Sequence, residues 1–252
     1  MTESADVAPA RIRVALFDLD DTLFAHREAV QRGLAAHRAA LGGEIAAADD
    51  AVENTRWYEL EELHYHRYLS GELDFLDQRR ARARSFVSPY GLVLETDDEA
   101  DAWFECYLVH YENNWALHAD TLPCLDALTS EPSPLHIGVI TNGDIAFQSA
   151  KLRGTGLLPR IEHIIASGEV GVSKPDAAIF AHACAVFGVA PGEAAYVGDR
   201  LTTDALGASA AGLLGVWLDR AGGAAREQLD AARAAGVPVI RTLAEVPRLL
   251  GR

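Results

Sequence analysis

Two short apolar runs, residues 12–18 and 136–141, read as buried β-strands, yet the stretch between Thr22 and about His118 holds no convincing strand and strong helical periodicity. Later runs at 162–166, 194–198 and 214–218, with a weaker one near 238–241, alternate with helical segments at about 144–154, 176–187 and 200–211. Strands that alternate with helices predict an α/β protein with a largely parallel sheet. The first crossover is the exception, because a parallel connection needs only about a dozen residues and this one carries far more. The chain therefore divides into a core, residues 1–24 with 117–252, and an inserted helical domain, residues 25–116.

Local signals place the breaks. Gly154, Gly188 and Gly212 each follow a helical segment and suit the position just past a helix end. Pro175 before Asp176 marks a helix start, with proline placed where its missing N–H does no harm. Inside the insert, helices are expected at roughly 26–41, 49–70, 72–87 and 97–114, broken at Gly42-Gly43, Ser70-Gly71 and Ser88-Pro89-Tyr90-Gly91. Its many aromatics, Trp57, Tyr107 and Trp103 among them, are expected mostly to pack these helices together. Arg80 and Arg84 share a helix face, for which a solvated stripe is the simpler reading. His64 and His66 stand two apart, do not share a helix face, and have no partner that completes a zinc set. The alanine- and charge-rich segment 221–235 reads as a surface helix, and Met1–Ala10 as a flexible lead-in.

Charge narrows the partners. With 22 basic against 37 acidic residues the net charge is −15, which disfavours nucleic acid polymers and anionic membranes. A small anionic substrate is still compatible, because a metal and local charge can hold it. No apolar run approaches the roughly 18 residues needed to span a bilayer. The first ten residues carry two acidic groups and no basic one, unlike a secretory signal. Cys106, Cys124 and Cys184 lie far apart without CxxC spacing, as expected of reduced thiols in a cytoplasmic protein. Oligomeric state is not legible.

The chemistry is concentrated at strand ends. Phe17-Asp18-Leu19-Asp20-Asp21-Thr22-Leu23 closes the first strand, where a turning backbone lets Asp18 and Asp20 reach one pocket. Crowded carboxylates repel unless a cation or shared proton offsets them. The plainer alternative is that Asp20, Asp21 and Thr22 cap the next helix. Thr141 ends the second strand and Asp199 follows the fourth, so all three lie at the carboxyl edge of the sheet, where ligands bind in open α/β folds. Asp18 and Asp199 offer the oxygen ligands that Mg²⁺ prefers. Thr141 offers a hydroxyl, and Asn142 and Gly143 offer N–H groups at a helix start, which together make either an anion site or a plain turn.

In order along the chain, Phe17–Leu23, Val139-Ile140-Thr141-Asn142-Gly143, Ser173-Lys174-Pro175 and Tyr196-Val197-Gly198-Asp199 with Asp204 resemble the four motifs of the haloacid dehalogenase-like hydrolases. The resemblance covers residues 12 to about 220 and is weakest between the first two motifs. It implies a Rossmann-like parallel-sheet core with an inserted α-helical cap, and a Mg²⁺-dependent phosphatase. It also implies the roles: Asp18 the nucleophile, Asp20 the acid–base group and, through its carbonyl, a metal ligand beside Asp18 and Asp199. Lys174, with Thr141, Asn142 and Gly143, would bind the phosphoryl group, and Asp204 would orient Lys174 or a metal-bound water. A helix aspartate without such a role is the alternative for Asp204.

Asp20 favours phosphate esters over halides within the resemblance, because an alkoxide leaving group needs a proton and a halide does not. Phosphomutases share the Asp18–Asp20 pair but typically carry glycine where this chain has Asp21. A phosphomutase and a non-catalytic regulatory protein on the same scaffold are the rival readings. Glu169–Pro175 with Ile179-Phe180 looks like the pyrimidine nucleotidases, and Gly198–Asp204 like flavin mononucleotide phosphatases. A closed helical cap favours a small phosphomonoester, whether nucleotide, flavin mononucleotide or sugar phosphate.

Overall fold

The structure, a computed structural model, describes residues 11–252; the lead-in expected at Met1–Ala10 lies outside the described residues. Six strands, β1 (Val14–Phe17), β2 (His136–Thr141), β3 (His163–Ala166), β4 (Ala194–Gly198), β5 (Leu214–Leu218) and β6 (Val239–Ile240), form one parallel sheet in the order β3-β2-β1-β4-β5-β6. The segment Val-Ala-Leu-Phe of β1 is buried at every position, as a central parallel strand covered on both faces must be. Phe17 lies in register with Val139 of β2 on one side and Val197 of β4 on the other. Successive strands build outward to one side of β1 and then, from β4, to the other. This reversal is the switch point beside which open α/β sheets hold ligands.

Val14, Leu16, Ile140, Ile165 and Tyr196 pack against Ile179, Phe180 and Ala183 of the helix Ala177–Phe187, which roofs one face of the sheet. Asp176 caps that helix by accepting from the Ala178 N–H, so Pro175 stands outside the helix and not at its first turn. Gly188 ends it in the left-handed conformation (φ 64°), as expected of a C-terminal glycine. Gly154, by contrast, is the last residue of the helix Ile145–Gly154, and Gly156 takes the left-handed turn. The segment expected as one helix at 200–211 is a wide π turn, Leu201–Leu206, continued by a short α-helix, Gly207–Ala210. Helices Gly43–Ala47 and Thr121–Leu128 have no counterpart in the sequence reading, being short pieces with too few residues to show a period.

By its internal contacts the chain forms two compact units, the part up to Ala25 with Leu117–Arg252, and His26–Ala116. The second unit is wholly helical: besides Gly43–Ala47 it holds His26–Leu41, Asp50–Leu69, Phe75–Val87 and Asp97–Glu112. Asp49 and Asp74 cap two of these helices, and Thr96 with Glu99 forms a capping box on the last. Trp57 sits at its centre against Tyr107 and Phe86, ring centroids 4.7 and 5.0 Å away. Full burial makes Trp57 a packing residue, as expected. The arginine stripe is not simply solvated: Arg80 makes a forked pair with Asp101 (2.8 and 2.7 Å) and Arg84 reaches Asp97 (2.7 Å), tying Phe75–Val87 to Asp97–Glu112. Among the described residues no helix is long and apolar enough to cross a membrane. Cys124 and Cys184 are buried free thiols and Cys106 an exposed one.

Candidate active site

The carboxyl edge of the sheet brings the four motif segments together. Asp18 follows β1, and its N–H still donates to Val197 O (2.9 Å), which keeps the residue in line with the sheet. The chain then folds into a tight turn: Leu23 and Phe24 both donate to Leu19 O, and Asp21 donates to Phe24 O. Asp21 takes φ 60°, a left-handed conformation that aspartate tolerates better than most residues and glycine best of all. The next helix begins only at His26, so Asp20, Asp21 and Thr22 are not its cap; they form the turn itself.

That turn is held from a distance. Arg220, just past β5, donates to Asp21 O (3.3 Å) and Thr22 O (2.7 Å). Its guanidinium is fixed by a forked pair with Asp120 at 2.9 and 3.0 Å. Asp120 also accepts from the Thr242 hydroxyl and the Leu243 N–H. Burial raises the Asp120 carboxyl, but these donors outweigh it and hold the group at about 2.

Lys174 links three side chains of this site. Its Nζ donates to Asp18 Oδ1 (2.7 Å), Asp204 Oδ1 (2.8 Å) and the Tyr196 hydroxyl (2.7 Å). Three donors meet three acceptors, the full capacity of an ammonium. Burial works against the charge on Lys174, yet Asp18 and Asp204 outweigh it and hold the group well above its ordinary range. Asp204 in turn accepts from the Arg200 N–H through Oδ2 (3.0 Å). Gly198 makes this approach possible, because a Cβ there would lie 2.5 Å from the Asp204 side chain.

Burial also pushes Asp18 up to about 6, with Lys174 opposing and Asp204 adding to the rise. Asp199 is raised well above the carboxylate range by burial, then by Asp18, Asp204 and Asp21. Trp217 Nε1 donates to Asp199 O (2.9 Å), anchoring the backbone that carries this carboxylate. Asp18, Asp199 and Asp204 each offer an oxygen within 4.8 Å of the others. Lys174 pairs with two of these three carboxylates, which leaves an excess of negative charge that burial makes costly. A divalent cation that prefers oxygen ligands fits this donor set, and Mg²⁺ is such a cation. Asp18 Oδ2 has no hydrogen-bond partner among the described residues.

The second motif is organised differently from a simple helix-start anion site. Asp144 caps the helix Ile145–Gly154 by accepting from Phe147 N–H, and the Gly143 N–H turns onto Thr141 Oγ1 (3.1 Å). The Asn142 side chain binds the main chain of Lys174, accepting from its N–H (2.8 Å) and donating to its carbonyl (3.0 Å). Thr141 Oγ1 also accepts from Gln148 Nε2 (2.9 Å). The Asp20 side chain accepts from Lys151 Nζ (2.6 Å) at Oδ1 and from Gln148 Nε2 (2.9 Å) at Oδ2.

Sequence reasoning passed over Tyr196, Gln148, Lys151, Arg220 and Trp217. Only Gln148 and Lys151 left a usable trace: with Leu152 they make an i, i+3, i+4 stripe, two of its three members polar, on a helix that must bury one face.

The family model for haloacid dehalogenase-like hydrolases matches residues 12–212. Among curated proteins, the phosphoserine phosphatase of Thermus thermophilus is 46% identical over 86 residues, which is 34% of either chain. The glyceraldehyde 3-phosphate phosphatase of Methanopyrus kandleri is 31% identical over 211 residues, 83% of this chain and 84% of that one. The N-acylneuraminate-9-phosphatase of Rattus norvegicus is 28% identical over 223 residues, 85% of each. Among solved structures, the magnesium-bound HAD-hydrolase YfnB of Bacillus subtilis superposes with a TM-score of 0.76 at 21% identity, over 96% of this chain and all of that one. The 2-haloacid dehalogenase of Pseudomonas syringae does so at 0.66 and 27% identity, over 96% and 99%.

Proposed function

This chain belongs to the haloacid dehalogenase-like hydrolases and is a phosphoric monoester hydrolase, and we propose that it cleaves a small-molecule phosphomonoester with Mg²⁺ through a phospho-aspartate on Asp18. The observation that carries the mechanism is Asp18 itself. One oxygen is held by Lys174, the other is unpartnered among the described residues, and the group belongs to a cluster of three carboxylates.

In the first half-reaction an Asp18 oxygen forms a bond to phosphorus while the bond from phosphorus to the ester oxygen breaks. Asp20 gives its proton to the departing alkoxide. In the second, Asp20 takes a proton from water, whose oxygen attacks phosphorus and releases Asp18 and inorganic phosphate. Lys174 holds Asp18 in place and balances charge on the phosphoryl oxygens, and Thr141 lines the same edge. Asp18 and Asp199, with the Asp20 carbonyl, would hold Mg²⁺, which when bound offsets the negative charge shared by carboxylate and phosphate, while Asp204 orients Lys174 beside them. Against carbon–halogen cleavage stands Asp20, whose proton a departing halide does not need.

The relatives are named for small phosphorylated metabolites, which supports a substrate of that size. The test is phosphate release with Mg²⁺ across phosphoserine, triose, sugar and acyl-sugar phosphates, nucleoside monophosphates and flavin mononucleotide, with Asp18→Asn as control. Release that disappears in the control supports the reading. Release that persists in Asp18→Asn, or is absent with every compound, overturns it.

A further inference from the structure

An acid–base group must donate a proton along one line and later accept one along nearly the same line, so its carboxylate needs a fixed plane. A bare aspartate at the tip of a turn has two free torsions and no such plane. Here both oxygens are held by separate donors on one helix, Lys151 on Oδ1 and Gln148 on Oδ2. Both donors are only 2% exposed. Taking a lysine out of water carries a desolvation cost that leucine or methionine at the same place would avoid. Packing alone therefore does not account for Lys151. Gln148 does more than grip Asp20, since its Nε2 also lies 2.9 Å from Thr141 Oγ1. One amide thus ties the acid–base carboxylate to the threonine that ends β2.

We propose that Lys151 and Gln148 are positioning residues for Asp20, setting the plane of its carboxylate and coupling that plane to Thr141. The proposal rests on the phosphatase reading and on Asp20 as the acid–base group. If Lys151 only stabilises the fold, its loss lowers every activity alike. If it positions Asp20, its loss falls on the steps in which Asp20 moves a proton. Aryl phosphates with an acidic phenol as leaving group need little protonation in the first step, whereas alkyl phosphates need it fully.

The experiment compares full-length wild type, Lys151→Met, Lys151→Arg and Gln148→Met, with thermal melting of each. The readouts are kcat and KM on an alkyl phosphate, and the rapid-quench rate of phosphoenzyme formation with alkyl and p-nitrophenyl phosphate. For Lys151→Met we expect kcat on the alkyl ester to fall by about 10²-fold or more with KM nearly unchanged, in the range that general acid–base catalysis contributes. Phosphoenzyme formation from the aryl ester should fall at least about tenfold less, and Lys151→Arg should recover part of the loss. Equal losses on the two esters, a change confined to KM, or unaltered kcat would overturn the proposal while leaving the phosphatase reading intact. If Lys151→Met does not melt cooperatively, Gln148→Met carries the same comparison, and equal losses on the two esters there overturn the proposal too. A wild type that releases no phosphate from any ester overturns the phosphatase reading itself, and this proposal with it.

Discussion

Asn142 holds Lys174 by its backbone from both sides, Oδ1 accepting from the Lys174 N–H at 2.8 Å and Nδ2 donating to its carbonyl at 3.0 Å. The end of one strand thereby sets the height of the ammonium that holds Asp18. An amide is the one neutral side chain that can accept and donate across a single residue in this way, glutamine being a methylene longer.

Asn142→Ala should therefore act through Lys174. Two hydrogen bonds are lost and two buried main-chain groups are left without them, costing on the order of 2 kcal/mol in stability. A misplacement of about 1 Å costs about 10²-fold in rate, so kcat should fall by that order. Thermal melting and steady-state kinetics with the preferred ester check both. Asn142→Asp, which keeps the acceptor and loses the donor, should fall between wild type and alanine in stability.

Asp18→Asn keeps the shape and removes the nucleophile. Turnover should drop by at least about 10⁴-fold, as losses of covalent nucleophiles do elsewhere. Lys174 then keeps Asp204 and Tyr196 as partners, so the protein should still fold. Phosphate release and far-ultraviolet circular dichroism, measured on the same sample, decide it. Wild-type activity in this variant would remove the phospho-aspartate.

Chelation by EDTA should silence the enzyme and added Mg²⁺ restore it, because three carboxylates cluster where Lys174 pairs with two of them. Mg²⁺ should also raise the melting temperature, since a ligand bound only to the folded state stabilises it. Asp199→Asn should weaken that thermal shift. Activity indifferent to chelation would contradict the metal site.

The pH profile follows from Asp18. Burial raises its pKa from 3.8 to about 6, so the folded protein binds this proton more tightly than an isolated aspartate would. The reacting form is the carboxylate, so kcat/KM should fall as pH drops through about 6. A cation beside Asp18 favours the charged form, and proton and Mg²⁺ compete. Raising Mg²⁺ should therefore move the acidic limb to lower pH. A limb that stays in place at all Mg²⁺ concentrations would separate the metal from Asp18.

Gly198→Ala tests the approach of Asp204. The added Cβ would fall 2.5 Å from the Asp204 side chain, so that carboxylate must leave its bond to Lys174 or the strand must shift. Loss of stability of about 1–3 kcal/mol is expected for such overpacking, together with loss of activity. Denaturant unfolding and turnover together check it, and an unaffected variant would show that Asp204 has room to move.

Much of this protein is determined by short-range features of the sequence. The all-apolar β1, the strand–helix alternation and the capping residues each act within a few residues, and they dictate a parallel sheet interrupted by a helical insert. Asp18 and Asp199 come together for the same reason, since a parallel sheet aligns the carboxyl ends of its strands. What sequence could not reach were interactions made by polar side chains across large separations. Asp20 lies 131 residues from Lys151, and the turn at Asp21 and Thr22 is held by Arg220, 199 and 198 residues on. Periodicity can mark Lys151 as lying on a buried helix face, but it carries no record of which distant residue that lysine meets. Thr-Asn-Gly shows the limit most plainly: alone it is a turn, and only the packing of β2 beside the Lys174 loop makes Asn142 a clamp.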